Sequence, residues 1–188
     1  MANSRDRSGL LSVDAALDRI LASLSTTKTT RVLLTDALGR TLAEEIHATL
    51  TLPPHDVSAM DGYAVRADDV ESCPVTLTRV GESAAGHPWT GHIKLGEVVR
   101  IFTGGFVPDG ADTIIIQENV DSPSENNHAL ITVREGAVKG SYIRPAGLDI
   151  EAGALALAKG TLLTARSIGL AIAAGVTSAV VSKQPRIG

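Results

Sequence analysis

The stretch Val98-Val99-Arg100-Ile101-Phe102-Thr103-Gly104-Gly105-Phe106-Val107-Pro108-Asp109-Gly110-Ala111-Asp112-Thr113-Ile114-Ile115-Ile116 decides the fold class. It holds two short apolar, β-branched runs, and only turn chemistry separates them: Gly104-Gly105, then Pro108-Asp109-Gly110. The same grammar recurs on either side. Further runs stand at Tyr63–Val65, Val75–Val80 and Leu130–Val133, divided by Asp61-Gly62, Gly86-His87-Pro88 and Glu125-Asn126-Asn127. Strands that follow one another without intervening helices predict an antiparallel sheet or a small barrel.

Outside this block the periodicity changes. Val13, Ala16, Leu17, Ile20, Leu21 and Leu24 fall on one face of a helix, with Ser12 at the N-cap and Asp14 in the first turn. A second helix is predicted over Ala165–Ala174, with Thr164 as its cap and Gly175 as its stop, and a strand follows at Ala179–Val181. The expected class is therefore α+β. A β-rich lobe, antiparallel or barrel-like, spans 46–140 and is inserted into a mixed α/β lobe built from 1–45 and 141–188.

Charge follows similar divisions. Residues 46–138 carry thirteen acidic and five basic side chains, a net of −8, whereas 139–188 carry two and six. An acidic lobe suits a cation or a basic partner better than a phosphate, although an ordinary solvated surface looks the same. Over all 188 residues the formal net charge is −4, and aromatics make up only 3%. Duplex binding needs a basic face and single strands need stacking platforms, so nucleic acid is a poor partner. No apolar run approaches the roughly 20 residues that span a bilayer. The polar opening Met1–Arg7 has no apolar signal core, and one cysteine, Cys73, excludes a disulfide framework. The expected setting is cytoplasmic, with no membrane partner.

Familiar catalytic motifs are missing. There is no G-x-S-x-G elbow and no dinucleotide loop. Gly105–Gly110 has phosphate-loop glycine spacing, but Ala111-Asp112 stand where Lys and Ser/Thr are needed. The five histidines, at 47, 55, 87, 92 and 128, show no zinc spacing.

Three segments remain. In Pro53-Pro54-His55-Asp56-Val57-Ser58-Ala59-Met60-Asp61-Gly62 a stiff entry leads to an acid beside glycine. It either presents Asp61 to a hard cation such as Mg²⁺ or forms a hairpin turn. Thr103-Gly104-Gly105 either offers a hydroxyl and backbone N–H groups to an anion or simply turns. Arg144 and Asp149 either bind ions or pair with one another at the junction of the lobes.

Together these segments resemble the N-terminal half of molybdopterin molybdenumtransferase, the MoeA and gephyrin E-domain family. The likeness runs from about Leu11 to the end of the chain. It rests on Ser58-Ala59-Met60-Asp61-Gly62-Tyr63-Ala64-Val65 after the proline pair, and on Arg100-Ile101-Phe102-Thr103-Gly104. It rests also on Pro108-Asp109-Gly110-Ala111-Asp112, Gln117-Glu118, Ile143-Arg144 with Gly147 and Asp149, and Ala158-Lys159-Gly160-Thr161. The resemblance implies insertion of molybdenum from molybdate into adenylylated molybdopterin, with release of AMP and with Mg²⁺ as cofactor. It implies a homodimer, and names an upstream molybdopterin adenylyltransferase as a candidate partner. Carried over residue by residue, it implies catalytic roles for Asp61 and Thr103, with Asp61 also the metal ligand. It implies substrate-binding roles for Ser58, Gly104, Arg144 and Asp149.

Two positions depart from the family pattern. Gly105-Phe106 replaces a frequent Ala-Pro after Thr-Gly, and Leu148 replaces a carboxylate beside Asp149. Family members also continue into a Rossmann-like molybdopterin-binding domain and a C-terminal β domain. Arg186-Ile187-Gly188 reads as the first strand of that continuation, so the chain is expected to be part of a longer protein. Two functions follow: half of a transferase, or a dimerisation and scaffold module without catalysis of its own.

Overall fold

The structure is a computed structural model that describes residues 11–121 and 129–185. The turn at Glu125–Asn127, His128, the Met1–Arg7 opening and Arg186–Gly188 lie outside the described residues. The element order is α1 (Val13–Ser23), β1 (Thr29–Leu33), β2 (Ile46–His47), β3 (Val57–Ser58), β4 (Gly62–Val65), β5 (Val75–Ser83), β6 (Glu97–Ile101), β7 (Thr113–Ile116), β8 (Val120–Asp121), β9 (Leu130–Val133), β10 (Ile143–Arg144), β11 (Leu155–Leu157), α2 (Ala165–Ala173) and β12 (Ser178–Ser182).

Six of these strands form one sheet in the order β7-β4-β6-β5-β9-β8. Successive side chains point to opposite faces, and both faces are covered. Tyr63, Val65, Val98, Ile115, Ile131 and Val133 pack on one side. Ala64, Val99, Ile101 and Ile114 pack with Ile93 on the other. Burial on both faces explains why Thr113–Ile116 is continuously apolar rather than alternating.

One pairing departs from a purely antiparallel sheet: β5 and β6 run parallel, with Glu82 opposite Arg100. The Gly86-His87-Pro88 turn does not join them as a hairpin, because Ala84 and His87 close a tight turn of their own. The chain then crosses back, as a parallel pair requires. Trp89 on this crossover lies against β5, where Gly81 has no side chain; a Cβ there would stand 2.3 Å from the indole Nε1.

The remaining strands are nested. Thr29 pairs with Ser182, Ile46 with Leu157 and Val57 with Arg144, all antiparallel, so the chain runs out to the sheet and returns beside itself. Both chain ends meet in a second core of Leu34, Leu42, Ile46, Leu163, Ala171 and Val181. Thr164 and Ser167 cap α2 reciprocally, and Gly175, at φ 84°, ends it. The first helix forms as its pattern predicts, with the Ala15 N–H donating to Ser12 Oγ at 3.2 Å, yet none of its residues is buried.

Candidate functional site

Asp61 and Thr103 come together although forty-two positions separate them. Asp61 stands just before β4 and Thr103 just after β6, and these strands are neighbours in register, Gly62 opposite Ile101. The Thr103 N–H and the Thr103 hydroxyl both donate to Asp61 Oδ1, each at 2.8 Å. These two donors, and then the Arg100 charge, hold the Asp61 carboxyl below its ordinary value; slight desolvation opposes them. The carboxylate is therefore ionised at neutral pH.

The Asp61-Gly62 pair is not a hairpin turn. Gly62 opens β4, and a Cβ there would lie 2.0 Å from the Ile115 carbonyl oxygen. Glycine is needed so that β4 and β7 can approach, which leaves Asp61 at a fixed strand entrance.

The Thr103–Gly105 loop turns out to be a turn whose N–H groups are engaged. Thr103 donates to Asp61, Gly104 to the Ser58 carbonyl at 2.8 Å and Gly105 to the Phe102 carbonyl at 2.8 Å. The expectation that they await an anion is corrected: a φ of 79° at Gly104 closes a locked corner. Ser58 is likewise turned inward. It is 1% exposed, and its hydroxyl donates to the Met60 carbonyl at 2.6 Å, closing the loop that delivers Asp61.

Arg144 and Asp149 pair with one another, Nη2 donating to Oδ1 at 2.6 Å and to Oδ2 at 2.8 Å. Both side chains stay about half exposed. Their arm is joined to the Asp61 arm by the β3–β10 pair and by the Ala59 N–H on the Tyr142 carbonyl, at 2.8 Å. Tyr142 holds φ 57°, a left-handed conformation unusual for a bulky residue. Asp56, which motif reading passed over, accepts from the Ala146 N–H at 2.8 Å and ties the same two arms.

Beside Asp61 and Thr103 lies a cavity of about 430 Å³ lined by Tyr63, Arg79, Glu82, Arg100, Phe102 and Gln117. Arg79 is 5% exposed, and its Nη2 reaches Glu82 at 2.7 Å. Motif reading gave these residues no role. The available signal was Arg100 itself, a lone charge within Val98-Val99-Arg100-Ile101-Phe102, with an aromatic residue two positions on.

Among the described residues no group of three or more His, Cys, Asp or Glu could hold a metal ion. Asp61 is thus a single carboxylate, one oxygen of which already accepts two hydrogen bonds. That does not make a protein-only metal cage. It does fit Mg²⁺, which commonly takes one or two carboxylates and completes its shell with water and substrate phosphate. No described helix is long and apolar enough to cross a membrane.

Residues 11–175 match the family model described as the MoeA N-terminal region (domain I and II). The molybdopterin molybdenumtransferase of Haemophilus influenzae is 34% identical over 180 residues, covering 95% of this chain and 44% of that protein. Molybdopterin molybdenumtransferase 2 of Mycobacterium tuberculosis is 36% identical, covering 82% of this chain and 38% of that one. A crystal structure of the molybdopterin biosynthesis moeA protein from Pyrococcus horikoshii OT3 superposes with a TM-score of 0.77 at 33% identity, covering 84% of this chain and 42% of its own. The chain thus spans less than half the length of each of these relatives.

Proposed function

Since this chain belongs to the family of MoeA N-terminal regions, we propose that it forms part of a molybdopterin molybdenumtransferase and supplies one wall of its reaction site. The reaction is insertion of molybdenum, delivered as molybdate, into adenylylated molybdopterin, with release of AMP. The observation that carries this reading is the Asp61–Thr103 pair, an ionised carboxylate fixed by two 2.8 Å hydrogen bonds at the rim of an arginine-lined cavity.

Each residue of the pair has a separate task. The Thr103 N–H and hydroxyl occupy Oδ1 and orient the carboxylate, leaving its other oxygen to face a ligand. Asp61 is the residue that would hold Mg²⁺, jointly with phosphate oxygens of the adenylylated substrate. When bound, the ion supplies positive charge against the phosphate that departs with AMP. Arg100 and Arg79 give the adjoining cavity cationic walls, which favour an oxyanion at its mouth. Holding ion and oxyanion in register is the contribution of this face; the molybdopterin itself binds elsewhere in the assembled protein.

The partner in this reading is a second copy of the chain, through the uncovered apolar face of the first helix. A second function, scaffold without catalysis, is favoured by one observation: a lone carboxylate with no second acid beside it needs a substrate-binding half that the relatives' extra length can provide. One experiment separates the two. Asp61→Ala in the full-length protein is expected to abolish molybdenum insertion while folding persists, measured as cofactor yield against circular dichroism. Near-normal yield from a folded variant would sink the assignment of Asp61 and leave the scaffold reading.

A further inference from the structure

The geometry points to Arg100 as the positioning residue of the Asp61–Thr103 pair: its guanidinium joins the backbone after Asp61 to Gln117 while packing over the ring that precedes Thr103. The inference rests on the functional reading above only in taking this pair as the working site.

The contacts reach both arms of the pair. On the Asp61 side, Arg100 Nη1 donates to the Gly62 carbonyl at 3.1 Å and Nη2 donates to Gln117 Oε1 at 2.8 Å. The Gln117 N–H in turn donates to the Asp61 carbonyl at 3.1 Å. Arginine, glutamine and the Asp61-Gly62 backbone therefore close a ring of hydrogen bonds around the base of the carboxylate. On the Thr103 side, the guanidinium carbon stands 4.7 Å from the centroid of the Phe102 ring, one residue before the donors to Asp61. It also stands 5.1 Å from the Tyr63 ring, its cross-strand neighbour.

These contacts need a planar fork with several donors and an aromatic-compatible face, which lysine lacks. They also explain a charge in an otherwise apolar strand, where a valine would serve packing better. An arginine kept for packing alone would stabilise the sheet without controlling whether Thr103 meets Asp61. That difference is measurable without turnover, so the outcome is independent of whether the pair inserts molybdenum.

The test is nuclear magnetic resonance on the 188-residue chain, wild type against Arg100→Lys, Arg100→Met and Gln117→Ala. Three readouts report the Thr103–Asp61 hydrogen bond: the Thr103 amide proton shift, the coupling from Thr103 nitrogen to the Asp61 carboxyl carbon through the bond, and Thr103 amide exchange. In Arg100→Lys and Arg100→Met the amide proton is expected to move upfield and the coupling to vanish. Exchange should accelerate about tenfold or more, as loss of a bond to a charged acceptor implies. Lysine should not rescue, and the amides of β9 should keep their wild-type shifts. Gln117→Ala removes an exposed side chain and should give the same change at smaller size. Wild-type values for all three readouts in folded Arg100 variants overturn the inference. If the Arg100 variants do not fold and Gln117→Ala keeps the wild-type signature, Arg100 is a packing residue and the inference fails equally.

Discussion

Asp61 shows how one residue can read as a turn and act as a strand entrance. Its carboxyl is held below its ordinary value of 3.8, chiefly by the Thr103 N–H, then by the Thr103 hydroxyl. A carboxyl whose folded-state pKa is lowered contributes stability above its unfolded pKa and loses it as pH falls through the folded value. Asp61→Asn keeps an oxygen acceptor for both donors but removes the charge. Wild type is therefore expected to be more resistant to urea than Asp61→Asn at neutral pH, with the gap closing as pH falls below about 4. Parallel urea titrations between pH 3 and 7 check this, and a gap that widens on acidification contradicts it. The pair was legible in the sequence only as two separate motifs. Neither Asp-Gly nor Thr-Gly-Gly implies the other, because strand register brings them together across β4 and β6, and register has no local signature.

At the scale of elements, the first helix carries the clearest sequence pattern and the least burial. Val13 is 83% exposed, and Leu17, Ile20, Leu21 and Leu24 all exceed 49%. An isolated helix shorter than about 12–15 residues is marginal in water, so an 11-residue helix needs something against that face. A second copy offers the same face in return, which is how two-fold dimers form. The chain is expected to sediment as a dimer, and Leu17→Asp combined with Leu21→Asp to give a monomer with reduced helicity. A monomeric wild type with full helicity contradicts this partner. Sequence periodicity located this helix because one face of it is apolar from end to end. The same reading missed β2, β3 and β10, each two residues long, since a pair of residues has no period to detect. It also took the sheet as wholly antiparallel, because nothing in Gly86-His87-Pro88 distinguishes a hairpin from a crossover.

For the whole molecule, the question is whether the two cores unfold as one. The core built from both chain ends shares no residue with those on the two faces of the sheet. They communicate through narrow arms: the β2–β11 and β3–β10 pairs, backbone bonds between Leu52 and Ile150 and between Pro53 and Gly147, and the Asp56–Ala146 tie. The Arg144–Asp149 pair adds little cohesion, because exposed ion pairs are worth at most about 1 kcal/mol. Contacts this sparse transmit little of a loss in one core to the other, so two cooperative units are expected. Ile115 is 1% exposed in the sheet core, and Ile115→Ala should cost that unit about 2–5 kcal/mol. Amide exchange should accelerate along β4, β6 and β7, while the amides of β1 and β12 keep their protection. Leu163→Ala in the other core should do the reverse. Uniform loss of protection across both cores in either variant would show that the arms weld them into one unit. In that case a partner bound at the first helix could bias Asp61 and Thr103 directly; with two units, the sheet carries its reaction face intact through any rearrangement of the chain ends.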